Sequence, residues 1–122
     1  MTKRVLIVDD AVCVRDMFRD IFATDELFEV IGEAIHGIDA IEKYKALKPD
    51  LVTMDIVMPF KSGIEATREI VRFDPNAKVI MCSALGQEAL VMDAIESGAA
   101  DFVVKPFRTD DVLTIARKVL GE

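Results

Sequence analysis

Basic residues are scarce in this chain: 15 Lys and Arg face 22 Asp and Glu, and with one histidine the net charge is −7. That balance argues against a chain-wide attraction to nucleic acid or anionic lipid, so no nucleic-acid partner and no membrane partner are expected. Long apolar runs are also missing. The run nearest the N-terminus covers only Val5 to Val8, too short for a signal-peptide core, and no stretch approaches transmembrane length. A cytoplasmic location is the expectation. Cysteine is limited to Cys13 and Cys82, without the paired spacing of zinc or redox sites. Each is expected to be a small buried hydrophobe in a reducing compartment. The only histidine, His36, lacks companions for a metal or phosphohistidine role and reads as a solvated loop residue. Repeats, linkers and low-complexity segments are absent too.

What is present is a regular alternation. The 122 residues, 52% hydrophobic and 30% charged, suffice for one domain with a full core, expected to span 1–122 as a monomer. Arg4 to Val8 is a short β-branched run. Val14, Met17, Phe18, Ile21 and Phe22 then keep a helical i, i+3, i+4, i+7, i+8 stripe, with Arg15, Asp16 and Arg19 opposite. Phe28 to Ala34 reads as a second strand. Gly37 opens a helix with Ile38, Ile41, Tyr44 and Leu47 inward, ending before Pro49. Leu51 to Met54 is the third strand. Ser62 is placed to cap a helix carrying Ile64, Thr67 and Val71, and Asp74-Pro75-Asn76 marks a turn into a fourth strand, Val79 to Cys82. Gln87 to Ser97 forms a helix apolar around much of its girth, through Leu90, Val91, Met92, Ala94 and Ile95, and Gly98 stops it. Asp101 to Val104 is a fifth strand. Thr109 is expected to cap a last helix with Val112, Ile115, Ala116, Val119 and Leu120 on one face and Asp110 and Asp111 at its positive end. Five strand–helix units imply an α/β fold: a parallel sheet, right-handed crossovers and helices on both faces.

The chemistry lies at the strand ends. The third strand stops in Asp55, on the rim where open parallel sheets bind ligands. On that stretch alone a turn aspartate would look the same. The first strand, however, runs into Asp9-Asp10, and a helix cap accounts for one acid there but hardly for both together with Asp55. Three carboxylates in one pocket repel one another unless a cation neutralises them, and an oxygen-only set suits a hard ion such as Mg²⁺. The fourth strand runs into Ser83-Ala84, a compact hydroxyl beside a small residue. The fifth ends in Lys105, a point charge suited to a phosphoryl oxygen. A serine or a lysine at one strand end is unremarkable, but together these residues fit one site.

As an ordered set, Asp9-Asp10, Asp55 with Met58-Pro59 and Gly63, Ser83-Ala84 and Lys105-Pro106 resembles the receiver domain of bacterial response regulators, in particular the chemotaxis regulators of the CheY type. The resemblance covers the whole chain. It implies the flavodoxin-like strand order 2-1-3-4-5, of which CheY is a standard example. It also implies that Asp55 accepts a phosphoryl group from a phosphohistidine on a partner kinase, and that the domain catalyses its own modification. Mg²⁺ would be held by Asp10, Asp55 and the Val57 backbone carbonyl, with Asp9 reaching it through water. Lys105 and Ser83 would hold phosphoryl oxygens, and Lys105-Pro106 would be cis. Phe102 matches the switch aromatic of the fifth strand. Ser83 would move toward the phosphoryl group and the ring would turn inward, altering the surface of the fourth helix, fifth strand and fifth helix. Many relatives have tyrosine there, so any hydroxyl contact to a partner is missing. A flagellar motor switch protein is the expected output partner, with a phosphatase as a further one. A phosphorelay intermediate, or a receiver cut from a longer regulator, is the alternative.

Departures from the family pattern carry expectations of their own. Phe60, where relatives more often have a polar residue, is either an exposed contact beside the site or packing for the third helix. Val57 and Leu85, two past the acceptor and two past Ser83, cannot hydrogen-bond a hydrolytic water, so phosphate loss is expected to be slow. Other function classes fit less well. A haloacid-dehalogenase-type, Mg²⁺-dependent phosphatase resembles Asp-x-Asp at its nucleophile, whereas Asp9 and Asp10 are adjacent. A dinucleotide or flavin module wants a glycine-rich first turn, and Asp10-Ala11-Val12-Cys13 is none.

Overall fold

The first strand sets the pattern for the rest of the fold. Val5 to Val8 are almost wholly buried, and alternate residues enter two different cores, so the sheet must be covered on both faces. The computed structural model describes residues 2–84 and 86–122. In chain order the elements are β1 (Lys3–Val8), α1 (Val12–Ala23), β2 (Phe28–Ala34), α2 (Gly37–Leu47), β3 (Leu51–Asp55), α3 (Gly63–Phe73), β4 (Val79–Ser83), α4 (Glu88–Glu96), β5 (Asp101–Val104) and α5 (Thr109–Leu120). The strands form one parallel sheet in the order β2-β1-β3-β4-β5, the flavodoxin-like order that the resemblance implied.

One face of the sheet presents Leu6, Val8, Val52, Met54, Val79 and Met81 to Ala40 and Tyr44 of α2, Ala66 and Ile70 of α3 and Ala94 of α4. The other presents Val5, Ile7, Leu51, Ile80, Cys82 and Val103 to Phe18, Ile21 and Phe22 of α1 and Val112 and Ala116 of α5. Since β1, β3 and β4 are central and parallel, their carboxyl ends share one rim. The Ser62 cap holds as expected: its hydroxyl accepts the Glu65 N–H at 3.2 Å, and Glu65 reaches back to the Ser62 N–H to complete a capping box.

Several expectations change. Thr109 is the first helical residue and not the cap. Arg108 occupies that position and makes no side-chain capping bond, so the start of α5 relies on Asp110 and Asp111 in its first turn. Met17 and Ile38, assigned to inward stripes, are exposed, because each helix meets the sheet along a strip narrower than its apolar face. Cys13 is exposed rather than buried, since the first turn of α1 stands clear of the sheet and burial is complete only from Phe18; Cys82 is buried as expected. His36 is not a free loop residue. Its Nδ1 accepts the Asp39 N–H at 3.1 Å and caps α2. Among the described residues, no helix is long and apolar enough to cross a membrane.

Candidate functional site

Each strand that reaches the rim delivers its polar residue by the same means, a β-ladder that ends where the chain must turn. Asp9 follows β1, and its N–H still donates to the Ala34 carbonyl at 3.1 Å, extending the pairing with β2. Its carboxylate turns back locally, Oδ1 accepting the Ala11 N–H at 2.9 Å, so Asp9 both shapes the entry to α1 and stays in the pocket, 1% exposed. Asp10, the next residue, is exposed. Asp55 is the last residue of β3 and is half-buried. Among the described residues, these three offer carboxylate oxygens that all lie within 4.8 Å of one another.

Lys105 closes the pocket from the far side of the sheet. Its N–H donates to the Ser83 carbonyl at 2.7 Å, which ties the β5 exit to the β4 exit. Its Nζ stands 3.5 Å from Asp55 Oδ1 and 3.4 Å from Asp9 Oδ2. The Lys105–Pro106 bond is cis, as the resemblance implied. Ser83 is buried at the end of β4. It lines an apolar hollow of about 230 Å³ with Ala84, Val91, Phe102 and Val104. Phe102 is half-buried and also lines a second hollow of about 390 Å³ on the α5 side, so its ring stands between two spaces.

The electrostatics follow from three acids around one ammonium. Burial, and next the charge of Asp9, push the Asp55 carboxyl up to about 6 against the pull of Lys105. Burial works against the charge of Lys105, but Asp55 and Asp9 outweigh it and hold its pKa above the ordinary lysine value. One ammonium does not neutralise three carboxylates. The remaining negative charge, carried by hard oxygen donors alone and open to solvent at Asp10, fits a Mg²⁺ ion.

The structure therefore gathers the Asp9, Asp10 and Asp55 carboxylates into one pocket with Lys105 against Asp9 and Asp55, and with Ser83 and Phe102 adjoining. Val57, two residues past Asp55, is exposed on the same rim, while Leu85 lies outside the described residues. Phe60 is an exposed side chain, 83% accessible, and not packing for α3.

Two residues of the site escaped the sequence. Arg15, assigned to the solvent side of α1, folds back so that Nη1 donates to the Asp9 carbonyl at 2.8 Å and Nε pairs with Glu33 at 2.6 Å. Only the fold places β2 and its Glu33 beside α1, so no local pattern announces this contact. Thr53, two residues before Asp55 and on the same face of β3, is fully buried, and its hydroxyl has no partner among the described residues. The sole sequence signal is a hydroxyl inside an apolar run.

Comparison with known proteins agrees with this geometry. Residues 5–117 match the response regulator receiver domain. The chain is 57% identical over 119 residues to the chemotaxis protein CheY of Thermotoga maritima, covering 98% of each protein. It is 53% identical over 121 residues to the CheY of Bacillus subtilis, covering 99% of this chain and 100% of that one. Among solved structures, the CheX-CheY-BeF3-Mg complex from Borrelia burgdorferi contains a chain that superposes with a TM-score of 0.90 at 44% identity, over 96% of this chain and 88% of that one. With likeness of this extent in sequence and fold alike, the chain belongs to the response regulator receiver domain family, as a receiver of the CheY type.

Proposed function

We propose that residues 1–122 act as one phosphorylation-activated receiver in chemotaxis, with Asp55 as acceptor and the α4–β5–α5 surface as output. The observation that carries this reading is Asp55 at the mouth of β3, its Oδ1 3.5 Å from Lys105 Nζ, with Asp9 and Asp10 beside it. A carboxylate oxygen of Asp55 attacks phosphorus, the bond from phosphorus to the donor histidine nitrogen breaks, and a mixed anhydride forms. The pKa of about 6 leaves most of Asp55 ionised at neutral pH, as a nucleophile must be. Lys105 takes up charge on the equatorial phosphoryl oxygens. Asp10, Asp55 and the Val57 carbonyl would hold Mg²⁺, with Asp9 behind them. The ion would neutralise the carboxylates and the incoming phosphoryl oxygens together.

The output follows from packing. Ser83 closing on the new phosphoryl group draws the β4–α4 turn inward, and the hollow beside it gives the Phe102 ring space to follow. A histidine kinase is the proposed donor. A flagellar motor switch protein is the proposed reader, supported by the chemotaxis relatives, and a phosphatase is a further proposed partner, in keeping with a relative that forms a complex with CheX. The acceptor is tested by Asp55→Asn, which should abolish phosphorylation from a cognate kinase, because an amide is not an adequate nucleophile. Stoichiometric phosphate on that variant would refute the assignment. Lys105→Ala should still accept phosphate but lose the NMR response of Phe102 and α4 that beryllofluoride with Mg²⁺ elicits from the wild type. An undiminished response would remove Lys105 from the switch.

A further inference from the structure

The β3–α3 loop carries Val57, and its geometry shows how that backbone is held. At its base the loop is pinned: the Gly63 N–H donates to the Ile56 carbonyl at 2.8 Å, and a Cβ on Gly63 would stand 1.9 Å from the Asp55 carbonyl oxygen. Its outer end has a different anchor. Phe60 has φ 69, and the Lys61 N–H closes onto the Pro59 carbonyl at 2.8 Å across it. That is the strained, positive-φ form of γ-turn, in which a bulky non-glycine residue is uncommon. The side chain on this strained backbone is not buried in compensation, being 83% exposed. Across from it, in the β2–α2 loop, the His36 ring lies edge-on at 5.1 Å with planes at 73°. His36 cannot swing freely, because its Nδ1 is committed to the Asp39 N–H at the start of α2. Beside this pair the backbones themselves touch, since a Cβ on Gly37 would stand 2.3 Å from the Lys61 carbonyl oxygen.

We propose that His36 and Phe60 are positioning residues for the acceptor site: their ring contact braces the β3–α3 loop from the first turn of α2 and fixes the Val57 carbonyl for the cation. This rests on the reading of Asp10, Asp55 and Val57 as cation ligands. Neither ring touches the reacting atoms. They act through the loop, as supporting groups around metal ligands commonly do.

The test uses the full chain. His36→Asn keeps a side-chain acceptor at the α2 cap but removes the ring, and Phe60→Ala removes the other ring. Each is expected to speed amide hydrogen exchange at Lys61 in metal-free protein and to weaken Mg²⁺ binding, read by calorimetry, by about tenfold. The double variant should bind no more weakly than the worse single one, because the two rings make one contact. Phe60→Tyr, which keeps the ring, should restore both readouts. Wild-type Lys61 exchange and wild-type Mg²⁺ affinity in the single variants would overturn the brace, as would fully additive losses in the double variant. Failure of the underlying site reading looks different: Asp55→Asn would then bind Mg²⁺ as tightly as wild type.

Discussion

Val57 meets solvent on the rim beside Asp55, the proposed acceptor, with a branched apolar side chain, 56% exposed. Hydrolysis of an aspartyl phosphate needs a water in line with the bond to phosphorus, and this side chain can shield that approach but not hold the water. Slow intrinsic loss of phosphate is therefore the expectation, with a dependence on partners that bring a polar group of their own. Val57→Asn should accelerate the loss on the order of tenfold, and the double variant with Leu85→Glu further, measured at saturating Mg²⁺ without kinase or phosphatase. No acceleration in either variant would defeat the shielding argument. At this scale the acids, Ser83 and Lys105 were legible because each stands at the end of a short apolar run. His36 was not, because histidine is outside the usual set of capping residues, and Arg15 and Cys13 were not, because a long-range ion pair and standing clear of the sheet are properties of the surroundings.

Helix α4 shows how periodicity both informs and misleads. Its apolar girth is real, but among the described residues only Ala94 is fully buried. Leu90 and Val91 pack half-buried against the core, while Met92 is 60% and Ile95 44% exposed. Apolar side chains left in water on the element next to Phe102 suit a partner surface. Met92→Ala and Ile95→Ala should each weaken binding of the phosphorylated protein to its output partner by about 1–2 kcal/mol without altering the rate of phosphorylation, as checked by titration calorimetry with a stable phosphoryl mimic. Unchanged affinity would take this face out of consideration. The caps make the same point. Ser62 with Glu65 is a reciprocal motif readable in four residues, whereas Thr109 had only its residue type in its favour.

For the whole molecule, the burial of Asp55 has a cost in stability. Its carboxyl titrates near 6 in the fold, against 3.8 for an ordinary aspartate, so between those values the folded form binds more protons than the unfolded one. Stability of the metal-free protein should fall as pH rises from about 4 to about 6, by an amount on the order of 2–3 kcal/mol. Asp55→Asn should remove that fall, unfolding in urea with chelator present at a higher midpoint than wild type at pH 7 but not at pH 4. An equal difference at both pH values would show that Asp55 is not the group responsible. The sequence by itself determined the alternation of elements, the two buried faces and the polar strand ends, since periodicity and strand termination are local properties of the chain. Only the tertiary structure decided that Lys105 reaches Asp9 and Asp55 across the sheet, that Arg15 turns back to the Asp9 carbonyl, and that His36 meets Phe60. The Lys105 and His36 contacts join residues far apart in sequence, and parallel pairing across crossovers sets the distances between them; Arg15 lies near Asp9 in the chain but is turned toward it by Glu33 of β2.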